Sequence, residues 1–316
     1  MQLFVLGLAP VLLWTAAFIN PPHVVLTEFD MPFYKYIYSI ISPLPLISTI
    51  IAFVIMILNG IFLNYIFTSN KLVQKTTYMP AFMYYLLNSS NYQFMTISSL
   101  LIMNFCLIVA LWCFYRIYTK KESAEEIFTT SLIIALASMF YIPSLFFLLW
   151  LWIGLFIYKA YNLKKWLISL FGFITPFIFS LIYYYLTDQV AEKLNYFVDN
   201  FVHLPSIHQI SAPIHVVYLA ILGVLTVTSL FYVHTSKIEN NIIYGKKCNI
   251  LIIMLFVSIL SLTFVMEYSE FSAFFSIPLS FIFTIFLFAK RKLLYSNIML
   301  LLFIILTAVK IYFTTL

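Results

Sequence analysis

LPLISTIIAFVIMILNGIFLNYIF, residues 44–67, contains no Asp, Glu, Lys or Arg. Wound as a helix at ~1.5 Å per residue it reaches about 36 Å, enough to cross a hydrocarbon core of ~30 Å. Asn59 and Asn64 lie five apart, on different sides of that helix, and each suits a hydrogen bond to a neighbouring helix. The same kind of stretch recurs along the chain, at roughly 2–19, 77–88, 95–117, 127–141, 143–160, 166–187, 213–233, 248–266, 271–289 and 295–314. The expected fold is therefore all-α: one transmembrane domain over 1–316, a polytopic bundle of about 11 helices. Composition agrees, because 64% apolar and only 9% charged residues over 316 positions leave more hydrocarbon surface than a soluble fold hides.

The basic residues say how the bundle is threaded. Lys71 and Lys75; Arg116, Lys120 and Lys121; Lys159, Lys164 and Lys165; Lys237, Lys246 and Lys247; Lys290, Arg291 and Lys292 all fall on alternate loops, and so on one side. Only Lys35, Lys193 and Lys310 fall on the other. Positive loops stay cytoplasmic, which predicts a cytoplasmic N-terminus and a C-terminus on the outer side. The first span lacks a basic flank and is long for a signal peptide, so it reads as transmembrane helix 1.

Three spans leave the count open. The stretch 77–88 is short, and 127–141 is parted from 143–160 only by Tyr141-Ile142-Pro143. These last two form either a tight hairpin or a broken, re-entrant pair. Tyr78-Met79-Pro80-Ala81-Phe82-Met83-Tyr84-Tyr85 reads as an aromatic belt around a helix-start proline.

Acidic residues lean the other way: Glu28, Asp30, Asp188, Glu192, Asp199, Glu267 and Glu270 are external, against Glu122, Glu125, Glu126 and Glu239 within. Two external segments are long enough to carry a site. Residues 20–43 hold Glu28, Asp30 and the aromatic run 33–38. Residues 188–212 show Val190, Leu194, Phe197, Val198, Phe201 and Val202 at helical spacing, with Asp188 suited to cap the start. Both segments suit the membrane interface. Asp30 and Glu28 are the candidate catalytic carboxylates, as base and assistant toward a lipid-linked substrate. Alternatively, Asp30 caps the helix that Pro32 starts and Glu28 is solvated. Glu267 and Glu270 are secondary candidates. His203, His208 and His215 lack the spacing or thiolate partners of a metal site, and no cofactor motif is present.

Other classes recede. No basic run has the interleaving of a nucleic-acid site, so nucleic acid is not an expected partner. Apart from Lys310, no charge sits at mid-membrane depth, which disfavours an ion-coupled transporter. Cys106, Cys113 and Cys248 read as small buried apolar residues.

Several motifs carry a resemblance: Met31-Pro32-Phe33-Tyr34, Lys75-Thr76-Thr77-Tyr78-Met79-Pro80-Ala81, the Tyr141-Ile142-Pro143 break and Gly172-Phe173-Ile174-Thr175-Pro176. Through them the chain resembles a family of integral membrane proteins of the Bacteroidota that carries no assigned activity. That resemblance implies the inner membrane of a Gram-negative cell. More broadly, the chain resembles the polyprenyl-phosphate-dependent glycosyltransferases of the multi-helix C-type fold, with Glu28 and Asp30 in the first external loop. Here that loop is short, and no tryptophan-rich acceptor motif or large periplasmic domain follows. The likeness implies transfer of a sugar from a polyprenyl-phosphate lipid at the periplasmic face. The alternatives are a non-catalytic subunit packing against a membrane-protein partner in an envelope complex and, third, a lipid transporter.

Overall fold

The computed structural model describes residues 7–24, 26, 30–73, 77–92, 95–118, 123–160, 162–193, 213–239, 242–262, 271–288 and 293–315. Those residues form helices and no strand: α1 (Ala9–Ile19), α2 (Pro32–Ile41), α3 (Pro45–Ser69), α4 (Met79–Asn88), α5 (Ser99–Ile117), α6 (Ala124–Phe140), a 3-10 segment (Ile142–Phe146), α7 (Phe147–Ile157), α8 (Leu163–Leu186), α9 (Pro213–Glu239), α10 (Ile242–Leu262), α11 (Phe271–Leu287) and α12 (Leu293–Thr315). Among the described residues, five stretches are long and apolar enough to cross a membrane: Pro45–Ser69, Ser99–Ile117, Leu163–Leu186, Val217–Thr235 and Ile242–Ser261.

Proline opens α1, α2, α3 and α4 within the first two helical positions, where its missing N–H costs nothing. Lys71, Lys159 and Asp188 take positive φ just beyond α3, α7 and α8. There Leu72, Ala160 and Gln189 donate back five residues to Phe67, Leu155 and Tyr184 at 3.4, 2.9 and 2.9 Å, closing each helix. With only six glycines in the chain, ordinary residues fill those left-handed caps.

The doubtful stretch 77–88 becomes a ten-residue α4, about 15 Å long and so half the thickness of a bilayer core. It lies between α3 and α11, and Tyr84 and Tyr85 are wholly buried, not spread in a belt at the headgroups. Asn59 donates to the Tyr84 hydroxyl at 3.0 Å, and Tyr85 donates to the Ile57 carbonyl at 3.3 Å. Beyond α4 the chain is irregular yet still buried at Ser89, Ser90, Asn91, Met95, Thr96 and Ile97. Irregular backbone needs protein partners when water is excluded, and it finds them. Ile97 donates its N–H to Ser48 Oγ at 3.1 Å, and Trp14 Nε1 donates to Ser89 Oγ at 2.9 Å. Tyr34 donates its hydroxyl to the Ile97 carbonyl at 2.7 Å. A half-length helix followed by packed irregular chain thus reaches from the middle of α3 to its start.

The Tyr141-Ile142-Pro143 break is real. It ends α6, opens the 3-10 segment and turns the chain into α7, which packs on α10 through Trp150 Nε1 donating to the Ile250 carbonyl at 3.1 Å. α6 starts at Ala124, earlier than its apolar run suggested, because Glu125 and Glu126 sit in the first turn, where the helix dipole favours acids.

Cross-helix contacts bring together three of the residues that charge bias assigned to one side, Arg116, Lys246 and Lys247. Lys247 Nζ donates to the Asn70 carbonyl at 3.1 Å, Arg116 approaches Glu126 at 3.8 Å, and Lys246 stands 5.1 Å from the Tyr118 ring. We call this the basic end. At the α2 end, Met31 N–H donates to the Phe140 carbonyl at 3.2 Å, Tyr92 donates to the Asn20 carbonyl, and Lys310 lies 4.2 Å from the Tyr218 ring.

Candidate functional site

The carboxylate singled out by sequence has an unexpected setting. Asp30 is fully buried, and its backbone forms an isolated antiparallel bridge with Tyr141. It does not cap α2: Met31 holds the N-cap position, and no side-chain capping bond forms there. Tyr34, one turn on, is buried as well. Its phenol is held far above the ordinary tyrosine range by burial first, then by the Asp30 charge and by Tyr38. Glu28, Asp199, His203, His208, Glu267 and Glu270 lie outside the described residues, as does 194–212 of the second interfacial segment; the side chain of His215 does too.

A groove of about 830 Å³ opens at the α2 end, between α2, α6 and α8. That volume falls within the ~300–1,000 Å³ of small-molecule sites. Leu132, Leu136 and Met139 line it from α6 at i, i+4 and i+7, so one helical face forms one wall. Pro176, Phe179, Ser180 and Tyr183 form the α8 wall, again on one face. The two walls touch where Ser180 Oγ meets Met139 Sδ at 3.6 Å. Nearer the basic end they press together at Gly172, where a Cβ would stand 2.2 Å from Ser131 Oγ and 2.6 Å from the Phe128 carbonyl oxygen.

α2 closes the third side with Pro32, Phe33, Lys35 and Tyr36, and it is pinned there by its neighbours. The Met31–Phe140 bond and the Asp30–Tyr141 bridge tie its start to the end of α6. The Phe33 and Phe140 rings pack at 6.3 Å, and Tyr34 anchors the other face to Ile97. Polar groups come from the segment after α8: Gln189, Glu192 and Lys193. Glu192 accepts from Lys193 Nζ at 2.6 Å.

Asp30 is not among the residues lining this groove, whereas Glu192 is. The loop that carries Asp30 thus contributes α2 to the groove wall, while Asp30 itself stands apart from it. The one usable signal of the groove in the sequence was that Lys35 and Lys193 were two of the three basic residues off the basic side. Among the described residues, no group of three or more His, Cys, Asp or Glu side chains is placed to hold a metal ion. Comparison with protein-family models, with curated proteins and with solved structures gave no match.

Proposed function

We propose that this chain is a multi-pass protein of the inner membrane, N-terminus cytoplasmic, that handles a lipid-borne substrate at its periplasmic face. One observation carries the reading. The groove at the α2 end has an apolar floor on α6 and α8 and charged groups on α2 and on 189–193. A site with hydrocarbon walls and a few convergent polar groups suits an amphiphile better than a soluble metabolite. The positive-inside rule puts the α2 end on the periplasmic side.

Transfer of a sugar or similar group from the lipid is the reaction class we favour. In such a step the acceptor oxygen bonds to the sugar's anomeric carbon, the bond to the lipid phosphate breaks, and a carboxylate takes the acceptor's proton. Glu192 is the carboxylate on the groove wall. Asp30 would act only if α2 moved away from α6.

The test is lipid analysis of protein purified in mild detergent, comparing the parent chain with Leu136→Trp, which fills the α6 wall. Enrichment of one lipid class with the parent and its loss from the variant support the reading. Equal, bulk-like lipid content in both overturns it.

A further inference from the structure

Of the three basic residues off the basic side, Lys310 is buried against Tyr218. The other two, Lys35 from α2 and Lys193 from the segment after α8, line the same groove. Two lysines from distant parts of the chain thus line one apolar trough. Lys193 is half-buried and engages its neighbour Glu192, whose carboxylate is 71% exposed; a bond to so solvated a carboxylate is worth little and yields to a better anion. A phosphate offers up to two negative charges and three acceptor oxygens, a match for two lysines. The floor at Leu132, Leu136 and Met139 offers nothing to a headgroup and suits a hydrocarbon chain.

We infer that the groove binds a lipid with a phosphate head, the phosphate held between Lys35 and Lys193 and the chain laid along the α6–α8 wall. This rests on the lipid-handling reading and names the headgroup and its ligands. Glu192 competes for Lys193, so removing its charge strengthens binding.

The test uses the full chain in detergent and three probes: a polyprenyl phosphate, the uncharged polyprenol of the same length, and inorganic phosphate. The parent should bind the lipid phosphate about tenfold more tightly than the polyprenol, a difference of ~1.4 kcal/mol. The double variant Lys35→Met/Lys193→Met should bind both lipids equally, with polyprenol affinity unchanged, and Glu192→Gln should tighten the lipid phosphate severalfold. Unchanged polyprenol affinity also shows that the double variant is folded. Equal binding of both lipids by the parent, or a preference that survives the double variant, overturns the inference while leaving lipid handling intact. Inorganic phosphate competing as well as the lipid overturns the assignment to a lipid. If neither lipid binds the parent chain, the lipid-handling reading falls with it.

Discussion

Asp30 and Tyr141 are joined backbone to backbone in an antiparallel bridge, although 110 residues lie between them in the chain. The bridge fastens the chain just before α2 to the break between α6 and α7. Beside it, Met31 donates to the Phe140 carbonyl. Together they fix α2 over the groove, so the orientation of Lys35 depends on a contact that Lys35 does not make. Asp30, wholly enclosed next to that bridge, is read here as part of the anchor of α2.

Replacing Asp30 tests that reading. Asp30→Ala removes a buried carboxylate and should cost about 1–3 kcal/mol, as for other buried polar groups whose partners are stranded. Asp30→Asn keeps the shape and should recover part of the loss. The measurement is the thermal midpoint in detergent, with maleimide reactivity of Lys35→Cys reporting whether α2 has loosened. An unshifted midpoint for both variants would show that Asp30 has no anchoring role.

Gly172 sets the spacing of α6 and α8. In Gly172→Ala the new Cβ would meet Ser131 Oγ at 2.2 Å and the Phe128 carbonyl at 2.6 Å. The hydroxyl can be removed but the carbonyl cannot. The variant should therefore lose about 1–3 kcal/mol by overpacking, and adding Ser131→Ala should restore only part. Full restoration in the double variant would mean that the carbonyl contact relaxes at no cost.

These two sites show how much the sequence made legible. Helical class and long spans follow from uncharged runs such as 44–67, because bilayer thickness sets a length that composition alone can meet. Gly172 and Pro176 were visible as a motif, and Lys35 and Lys193 as exceptions to a charge rule. What brings Pro176, Lys35 and Lys193 to one groove is the pairing of α6 with α8 and the pinning of α2 by backbone bonds, and neither leaves a periodic signal. The shortness of α4 was legible in the stretch 77–88, whereas the path of the chain after it was not. The buried chain at 89–92 and 95–97 is stabilised by single side chains from α1, α2 and α3, namely Trp14, Tyr34 and Ser48.

Lys310 lies 4.2 Å from the Tyr218 ring and is 2% exposed. A desolvated cation over an aromatic face is worth ~2 kcal/mol. Tyr218→Leu should therefore destabilise the parent chain by about that much, yet cost distinctly less in a Lys310→Met background, a coupling of about 0.5–2 kcal/mol. Strict additivity of the two substitutions in thermal or urea unfolding would show that the ring does not stabilise the charge.

Sidedness can be read directly, because Cys113 and Cys248 are buried and Cys106 is only partly exposed, leaving a low labelling background. On the inner-membrane placement proposed above, single cysteines at Gln189 and Tyr36, on the groove, should react in intact cells with a maleimide that passes the outer but not the inner membrane. Cysteines at Lys71 and Lys159, beyond the ends of α3 and α7, should react only after the inner membrane is opened. Contacts such as Lys247 to Asn70 already gather several loop residues at one end of the bundle, so the four positions form two pairs that must behave alike within each pair. Reversed labelling of both pairs would invert the orientation while keeping the bundle. Mixed labelling within a pair would break the alternation of crossings, and with it the placing of Lys35 and Lys193 on one face of the membrane.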